Sequence, residues 1–426
     1  MLKKLSAMKS VLLALALVAV VTLASGRAWA LDKLHLKDGR VLEGTVAKEV
    51  NGYIWFNVKV GELESQQMFG PGEIDKLERD TKAAAPTADK PTGDAPKTTA
   101  PKAGVPRIAV ITLGEGGDKD MVGLFMTAEA LKRAIPLLED EGVTDVVFRV
   151  NSGGGALLEI QKLSDVIQNE YKPKFRVVAW IESAISAAAM TSHCIEEIYF
   201  MPQGNYGACT GWFGALTAVK GRELEEVLYM MEKISARGKH DPQIMRSMQI
   251  MEPLSCTIDD STGEVHWYNN LDGQYIVNPK ERILTFNASD AVKYKFAKGI
   301  ASSIDELAKL MGYNEYVFVG KPTAGVAYPV SRAEQLQRDF RNRTFDDQSR
   351  TRQYQVEYVG AIQAAQATPL ADRGKFVAKA RRALDQIRAM VKNNPNFALF
   401  VFGMSQDRFK DWLNEQEELL KDLMKR

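Results

Sequence analysis

Two stretches of the sequence decide its fold, Val150-Asn151-Ser152-Gly153-Gly154-Gly155 and, about thirty residues on, Ile181-Glu182-Ser183-Ala184-Ile185-Ser186-Ala187-Ala188-Ala189. The first is a turn of consecutive glycines that directly follows an apolar strand. The second places a serine among small residues where another strand passes into a helix. Together they predict an oxyanion hole that faces a nucleophile.

The glycine turn is suited to binding an anion through its backbone. Because no Cβ stands in the way, a strand that runs into glycines can approach a substrate closely and point N–H groups towards it. Gly154 and Gly155 are therefore the candidate donors. The alternative is an ordinary turn between a strand and a helix.

Ser186 is the candidate nucleophile of the second stretch. The alanines around it allow close packing and leave the hydroxyl reachable. A helix N-terminus favours negative charge, so the amide of Ala187 is a third candidate oxyanion donor. In the competing interpretation, Ser183 is the helix N-cap and has no catalytic part.

A serine nucleophile needs a base, and the histidines are poorly placed to provide it. His193 follows Ser186 by two helical turns, at a distance of roughly 10 Å, which is too far for direct proton transfer. A lysine can act instead if burial lowers its pKa towards the working pH. Lys233 is the first choice because it lies beside apolar residues of an amphipathic helix, and Lys220 and Lys239 are the alternatives.

The first thirty residues are expected to be a signal peptide. Lys3, Lys4 and Lys9 precede an apolar run from Val11 to Ala24, and a small-x-small cleavage pattern follows at residues 28–30. An uncleaved anchor is the alternative. We therefore expect an exported protein that is periplasmic, or associated with the outer side of the inner membrane.

Charge and composition argue against several kinds of partner and cofactor. Removal of the leader takes the net charge from +1 to −3, which gives no reason to expect nucleic acid. The three cysteines and four histidines are scattered, without the spacing of a metal site. We expect no metal and no cofactor.

Two segments precede the glycine turn in the mature chain. Residues 31–80 contain hairpin dipeptides between alternating runs, and five short strands there predict a small barrel of the SH3-like or Sm-like type. Its expected role is interaction, either binding of a peptide or partner or packing within an oligomer. Residues 81–106 carry a proline every five positions and predict an extended linker.

The remaining chain divides into an α/β domain and a helical region. Strands alternate with helices over residues 107–320, which predicts a largely parallel sheet. Residues 321–426 have helical periodicity, and Ser331 to Glu334 form a capping box. Basic residues exceed acidic ones by six between 331 and 393. This excess is typical of a solvated helical face, and an anionic membrane surface or partner is the alternative.

The motifs carry a resemblance to a known superfamily. Asn-Ser-Gly-Gly-Gly at 151–155 resembles the Asn-Ser-Pro-Gly-Gly motif of the Clp-protease/crotonase superfamily. Ile185 to Ala189, with the strand at Glu196 to Tyr199, resembles its NfeD-like and signal peptide peptidase A-like, Clp-class Ser–Lys proteases. Residues 284–307 look like the segment that closes the NfeD-like domain, so the resemblance covers residues 107–313.

The resemblance implies a spiral of ββα units and assembly into a homo-oligomer. It also implies Ser186 as nucleophile, backbone amides near Gly154 and Ala187 as the oxyanion hole, and a lysine base downstream, for which Lys233 is the choice. The chain departs from the pattern where Gly153 replaces the motif proline. Around Lys233 the match is poor, and a shifted placement puts Met230 or Met231 at the position of the base.

The leading hypothesis is an exported serine endopeptidase that uses a Ser–Lys dyad on extended polypeptide substrates, such as segments of membrane or secreted proteins. A membrane-protein partner or peripheral contact with a membrane is also expected, since the family that the chain resembles is membrane-associated. The alternative is a catalytically inactive Clp-like oligomeric scaffold or binding protein. An acyl-CoA enzyme of the crotonase type fits export poorly.

Overall fold

The computed structural model describes most of the chain beyond the leader. The described residues are 32–37, 39–50, 53–60, 63–69, 74–79, 104–213, 217–218 and 220–425. The signal peptide predicted at 1–30 and most of the linker predicted at 81–106 lie outside them. Two compact units emerge, Met1–Thr99 and Ala100–Arg426. Within the described residues, no helix is long and apolar enough to cross a membrane.

The described part of the first unit is an antiparallel sheet of five strands in the order β4-β3-β2-β1-β5. The strands are β1 (Asp32–Leu36), β2 (Val41–Val50), β3 (Tyr53–Val60), β4 (Leu63–Phe69) and β5 (Ile74–Glu78). Leu34 and Phe56, both fully buried, centre a small apolar core. The five predicted strands are therefore present. No pairing among the described residues closes the sheet, so the barrel stays a prediction.

The second unit begins with alternating strands and helices, as the sequence predicts. These are β6 (Arg107–Leu113), α1 (Ala128–Asp140), β7 (Asp145–Ser152), α2 (Leu157–Val166), β8 (Arg176–Ile185), α3 (Ala187–Ser192) and β9 (Glu197–Gly207). Strands β6 to β9 are consecutive neighbours and all pair in parallel. The central residues of β6, β7 and β8 form apolar, buried runs because helices and loops cover both faces of the sheet.

Smaller elements complete this α/β domain. They are β10 (Trp212–Phe213), β11 (Thr217–Ala218), α4 (Arg222–Arg237), α5 (Pro242–Gln249), β12 (Leu254–Ile258), β13 (Val265–Tyr268), β14 (Tyr275–Asn278), β15 (Thr285–Asn287), α6 (Ala288–Lys293), β16 (Gly299–Ile300), α7 (Ile304–Leu310) and β17 (Val317–Phe318). The sheet has the order β15-β9-β8-β7-β6-β17, and β16 pairs with β9. Strands β12 and β13 form an antiparallel hairpin whose turn contains residues 260–263.

Four α-helices follow in the described chain up to residue 425, and they pack in the same compact unit as the sheet. They are α8 (Arg332–Gln366), α9 (Gly374–Asn393), α10 (Phe397–Phe400) and α11 (Gln406–Asp422). Ser331 caps α8 as predicted, since its hydroxyl accepts a hydrogen bond from the amide of Glu334. Ser405 caps α11 in the same way, by accepting a hydrogen bond from the amide of Arg408.

Helix α8 is fixed to the sheet by a buried polar cluster. The carboxylate of Glu334 accepts from the Thr112 amide and hydroxyl, both at 2.8 Å. The guanidinium of Arg341 donates to the Thr112 carbonyl at 2.9 Å. Glu334 and Arg341 are at most 1% exposed. Because α8 satisfies both backbone groups of Thr112, this edge of β6 is closed to further strand pairing.

Candidate active site

Strand β8 ends at Ile185, and the chain turns sharply at Ser186 into α3. Ser186 has φ 54° and ψ −126°, a region that costs a non-glycine residue about 1–3 kcal/mol. A serine on a strained turn between a strand and a helix exposes its hydroxyl at the end of the sheet. The Ser186 side chain is partly exposed, and it makes no capping bond to the helix.

Ser186, and not Ser183, occupies the N-cap position of α3. Ser183 lies inside β8, where its hydroxyl donates to Asn205 Oδ1 at 2.9 Å. The interpretation of Ser183 as the N-cap is therefore wrong. The strand continues further than that interpretation requires, because β8 pairs with β9 up to Ile185.

The glycine turn and Ser186 are in contact. A Cβ placed on Gly154 would lie 2.6 Å from Ser186 Cβ and 3.1 Å from Ser186 Oγ. Strands β7 and β8 are parallel neighbours, so their carboxyl ends reach the same edge of the sheet. The two stretches singled out in the sequence therefore form one site.

Not all amides of the turn are available to a ligand. The Gly153 amide donates to Asp120 Oδ2 at 2.7 Å, and the Gly154 amide donates to Ser152 Oγ at 3.1 Å. The Gly155 amide has no acceptor among the residues that the structure describes. Ala187 is the first residue of α3, where helices leave N–H groups without intrahelical partners. The amides of Gly155 and Ala187 are thus the free candidate donors within the described chain.

Asp120 and Ser152 support the turn, and the sequence reasoning missed both. Ser152 Oγ also donates to the Asp120 carbonyl at 2.6 Å, so these two residues hold each other as well as the glycines. Asp120 follows a glycine-rich run, residues 114–117, at the end of β6. That run repeats the pattern of a strand entering glycines, and it could have indicated that this loop joins the site.

The three candidate lysines are exposed, which contradicts the expectation that Lys233 is stripped of water. Lys233 Nζ lies 4.1 Å from the ring centroid of Tyr229, itself 59% exposed. Lys239 pairs with Glu196 at 2.8 Å, and Lys220 lies exposed before α4. None of the three donates to Ser186 Oγ in the described structure.

The periodicity of α4 explains this correction. Its buried residues are Leu228, Met231, Ile234 and Ser235. Lys233 is two positions from Met231 and therefore points away from the core face, since successive residues are rotated by about 100°. Met231 is 1% exposed and Met230 packs partly against the core. The core face of α4 thus presents Met231 and not a lysine.

The histidine nearest in sequence to Ser186 is buried, and its contacts indicate a structural role. His193 is fully buried, and its Nδ1 donates to Tyr206 Oη, whose hydroxyl donates to the Ala189 carbonyl. Its ring centroid lies 4.6 Å from that of His240. Burial and the neighbouring imidazole lower the pKa of His193 well below its usual value, so it is neutral. The expectation that it does not serve Ser186 is consistent with these contacts.

Other reactive groups around the site are inert. The Cys209 thiol lies 3.6 Å from the Ser186 carbonyl, and burial raises its pKa, so it stays protonated. Cys194, Cys209 and Cys256 are free thiols. No group of three or more potential metal ligands occurs among the described residues.

Comparison with known proteins finds a partial similarity to a membrane protein. No family model matches the chain. The chain is 23% identical over 189 residues to membrane protein NfeD1b of Bacillus subtilis (strain 168). The matched region covers 44% of this chain and 38% of the relative's length.

The chain is also similar to solved structures of stomatin-specific proteases. A serine-to-alanine mutant of the membrane-bound protease 1510-N has a TM-score of 0.35 and 15% identity, and the match covers 53% of this chain and 92% of that one. A lysine-to-alanine mutant in complex with a substrate peptide gives the same score and identity, with 53% and 87% covered. A structure of 1510-N from Pyrococcus horikoshii has a TM-score of 0.32 and 14% identity, with 48% and 78% covered.

The predicted resemblance to NfeD-like proteins is confirmed by the curated relative. The expected α/β class with a helical C-terminal region is likewise confirmed. The alternation of strands and helices over residues 107–318 agrees with the Clp/crotonase-like fold that the resemblance implies.

Proposed function

We propose that this protein is a serine endopeptidase in which Ser186 attacks the carbonyl of an extended polypeptide. The single observation that carries the proposal is the strained Ser186 turn set against Gly154 at the end of a parallel sheet. Strain of this kind is a cost that a purely structural serine has no reason to bear.

The proposed first step forms a bond between Ser186 Oγ and the substrate carbonyl carbon. The Ser186 proton passes to a neutral lysine Nζ, and the oxyanion lies between the amides of Gly155 and Ala187, with Gly154 joining if it releases Ser152 Oγ. The lysine then donates its proton to the leaving amine, and water hydrolyses the acyl-enzyme. Lys233 is the proposed base, with Lys220 and Lys239 as alternatives.

The exposure of these lysines places a condition on the mechanism. An ammonium in water is protonated at neutral pH, so a lysine base must lose solvent before it can accept a proton. Assembly into the proposed homo-oligomer, or closure around a substrate, would provide that change. We also propose export, on the strength of the predicted signal peptide, and contact with a membrane or a membrane protein, which the similarity to a membrane protein supports.

A catalytically inactive Clp-like scaffold is the second candidate. The observation that favours it is the core face of α4, which carries Met231 where a buried lysine was expected. In this alternative, Ser186 and the glycine turn keep their positions in the fold but catalyse no reaction.

A fluorophosphonate probe and a panel of unfolded polypeptides separate the two candidates. The endopeptidase proposal expects wild type and Ser183→Ala to label and to cleave, and Ser186→Ala to do neither. Ser183 is a matched control because it lies on β8, three residues before Ser186, and its hydroxyl is hydrogen-bonded to Asn205. If wild type labels and cleaves no better than Ser186→Ala, the scaffold is favoured.

Single substitutions of the lysines to alanine then identify the base. Loss of cleavage in Lys233→Ala alone supports the proposed dyad. Loss in Lys220→Ala or Lys239→Ala, with Lys233→Ala active, moves the base to that residue.

A further inference from the structure

Val122 holds the glycine turn in place through two backbone hydrogen bonds. The Val122 amide donates to the Gly154 carbonyl at 2.9 Å, and the Val122 carbonyl accepts from the Ala156 amide at 2.9 Å. A Cβ on Gly155 would lie 2.3 Å from the Val122 carbonyl oxygen. The turn therefore has no room to move independently of residues 121–126, which we call the support loop.

The support loop is bound in turn by the segment that joins α9 to α10. Asn394, which is 1% exposed, donates from Nδ2 to the Leu124 carbonyl at 2.8 Å. Asn396 donates from Nδ2 to the Gly123 carbonyl, also at 2.8 Å. Two consecutive backbone carbonyls of the loop thus depend on carboxamides that are about 270 residues away in sequence.

Apolar packing holds the same two segments together. Leu124 and Phe125 share a buried cluster with Met390 and Phe397. On the loop itself, a Cβ at Gly123 would approach the Phe400 ring to 3.0 Å. A rearrangement of the α9–α10 segment would therefore have to move the support loop.

Asn396 also ties the segment to α2, the helix that follows the glycine turn. Its Nδ2 lies 3.0 Å from Glu159 Oε2, and Glu159 Oε1 accepts from the Ala128 amide at the start of α1. Glu159 is 3% exposed. The contacts of Asn396 therefore reach both sides of the turn.

We propose that Asn394 and Asn396 are positioning residues for the candidate oxyanion hole, and that the C-terminal helical region controls the site through them. A movement of the α9–α10 segment would displace the support loop, and Val122 of that loop would in turn displace Gly154 and Gly155. This inference rests on the proposed function for its catalytic consequence, whereas the mechanical coupling stands without it.

Hydrogen–deuterium exchange of the full chain tests the coupling directly. The amides of Val122 and Ala156 make the two bonds that join loop and turn, so their exchange reports on this contact. We expect Asn394→Ala and Asn396→Ala to speed exchange at least severalfold in peptides that cover residues 121–126 and 151–156. Asn393→Ala is the matched control, since its Nδ2 has no hydrogen-bond partner among the described residues.

Labelling of Ser186 by a fluorophosphonate tests the catalytic consequence. We expect a rate constant about tenfold to a hundredfold lower in both variants, because small displacements of catalytic groups have effects of that size. Asn396→Gln keeps a carboxamide donor and should recover part of the rate. Any peptide that wild type cleaves should show the loss in kcat and little change in KM, since the oxyanion forms only after binding.

The exchange and labelling measurements distinguish a failure of the coupling from a failure of the proposed function. If exchange at residues 151–156 is unchanged while exchange at 121–126 rises, the coupling is wrong whatever the activity. If wild type does not label, the proposed function fails and exchange alone decides the coupling. Should Asn394→Ala not fold, the partly exposed Asn396 provides the deciding pair, Asn396→Ala and Asn396→Gln.

Discussion

Gly154 lies directly against Ser186, so closely that a Cβ at position 154 would be 2.6 Å from the Cβ of the serine. Side-chain atoms do not approach each other to that distance without displacement. The two residues meet because β7 and β8 are adjacent parallel strands that end together. This contact is the most specific feature of the candidate site.

Gly154→Ala is expected to destabilise the fold by about 2–4 kcal/mol. Part of this cost is the φ of +108°, which disfavours a Cβ, and part is overlap with Ser186 and the Ile185 carbonyl. Urea unfolding measures the change. Gly312→Ala is the control, because Gly312 has φ +91° with nothing within 4 Å, so it should lose only the conformational part. Equal losses in the two variants would contradict the contact.

Ser186→Gly is expected to be more stable than Ser186→Ala by about 1 kcal/mol. Both remove the hydroxyl, but glycine adopts φ 54° without strain, which outweighs its larger loss of chain entropy. Denaturation midpoints of the two variants, compared at equal m-values, provide the measurement. Equal or reversed midpoints would mean that the Ser186 backbone is not strained.

Arg341→Met is expected to lower the free energy of unfolding by about 1–3 kcal/mol, because it leaves the buried Thr112 carbonyl and the Glu115 carboxylate without their donor, whereas Glu334 keeps its ion pair with Arg338. Arg343→Met, two positions along α8, is the control. Arg343 is 60% exposed and 3.9 Å from Asp347, so its loss should change stability by less than about 1 kcal/mol. Chemical unfolding followed by circular dichroism distinguishes them, and similar small losses would count against a structural role for the buried cluster.

Stability is expected to fall as the pH decreases below about 6.5, the usual pKa of a histidine. Burial lowers the pKa of His240 to about 4, so the unfolded chain takes up a proton before the folded chain does. The stability that His240 contributes is therefore complete above about pH 6.5 and is lost towards about pH 4, at about 1.4 kcal/mol per pH unit.

Unfolding free energies measured between about pH 7 and pH 5 check this dependence. His240→Gln should reduce the slope without abolishing it, since an amide keeps a donor for the Ile195 carbonyl and does not titrate, while the lowered pKa of the buried His193 still contributes. His266→Gln, at an exposed position on β13, should leave the slope as in wild type. An unchanged slope in His240→Gln would contradict the assignment.

Much of the fold followed from local patterns in the sequence. The strands and helices that were expected to alternate after residue 107 are present, and the serine at 331 caps the helix that it was expected to cap. These features depend on neighbours within a few residues, so the sequence carries them in full.

The supports of the site did not follow from local patterns. Glu334 was expected to complete a capping box, yet its carboxylate binds Thr112, 222 residues away. Asn394 and Asn396 showed no motif at all. Their role depends on which loop the fold brings against them, and no spacing in the sequence encodes that choice.

The choice of Lys233 as general base shows most clearly what the sequence could not predict. Lys233 was chosen because apolar residues flank it in sequence, but flanking residues on a helix lie on different faces, and the core face of α4 is occupied by Met231. Burial of a charged group is a property of the assembled surface, not of the local composition.

The sequence by itself determined that a glycine turn and a serine close two consecutive strands of a parallel sheet, because both signals are local in backbone and composition. Only the tertiary structure decided that Gly154 touches Ser186, that Asp120 and Val122 fix the turn, and that the lysines stand in water. Those outcomes depend on strand register, on helix rotation and on contacts between segments that are far apart along the chain.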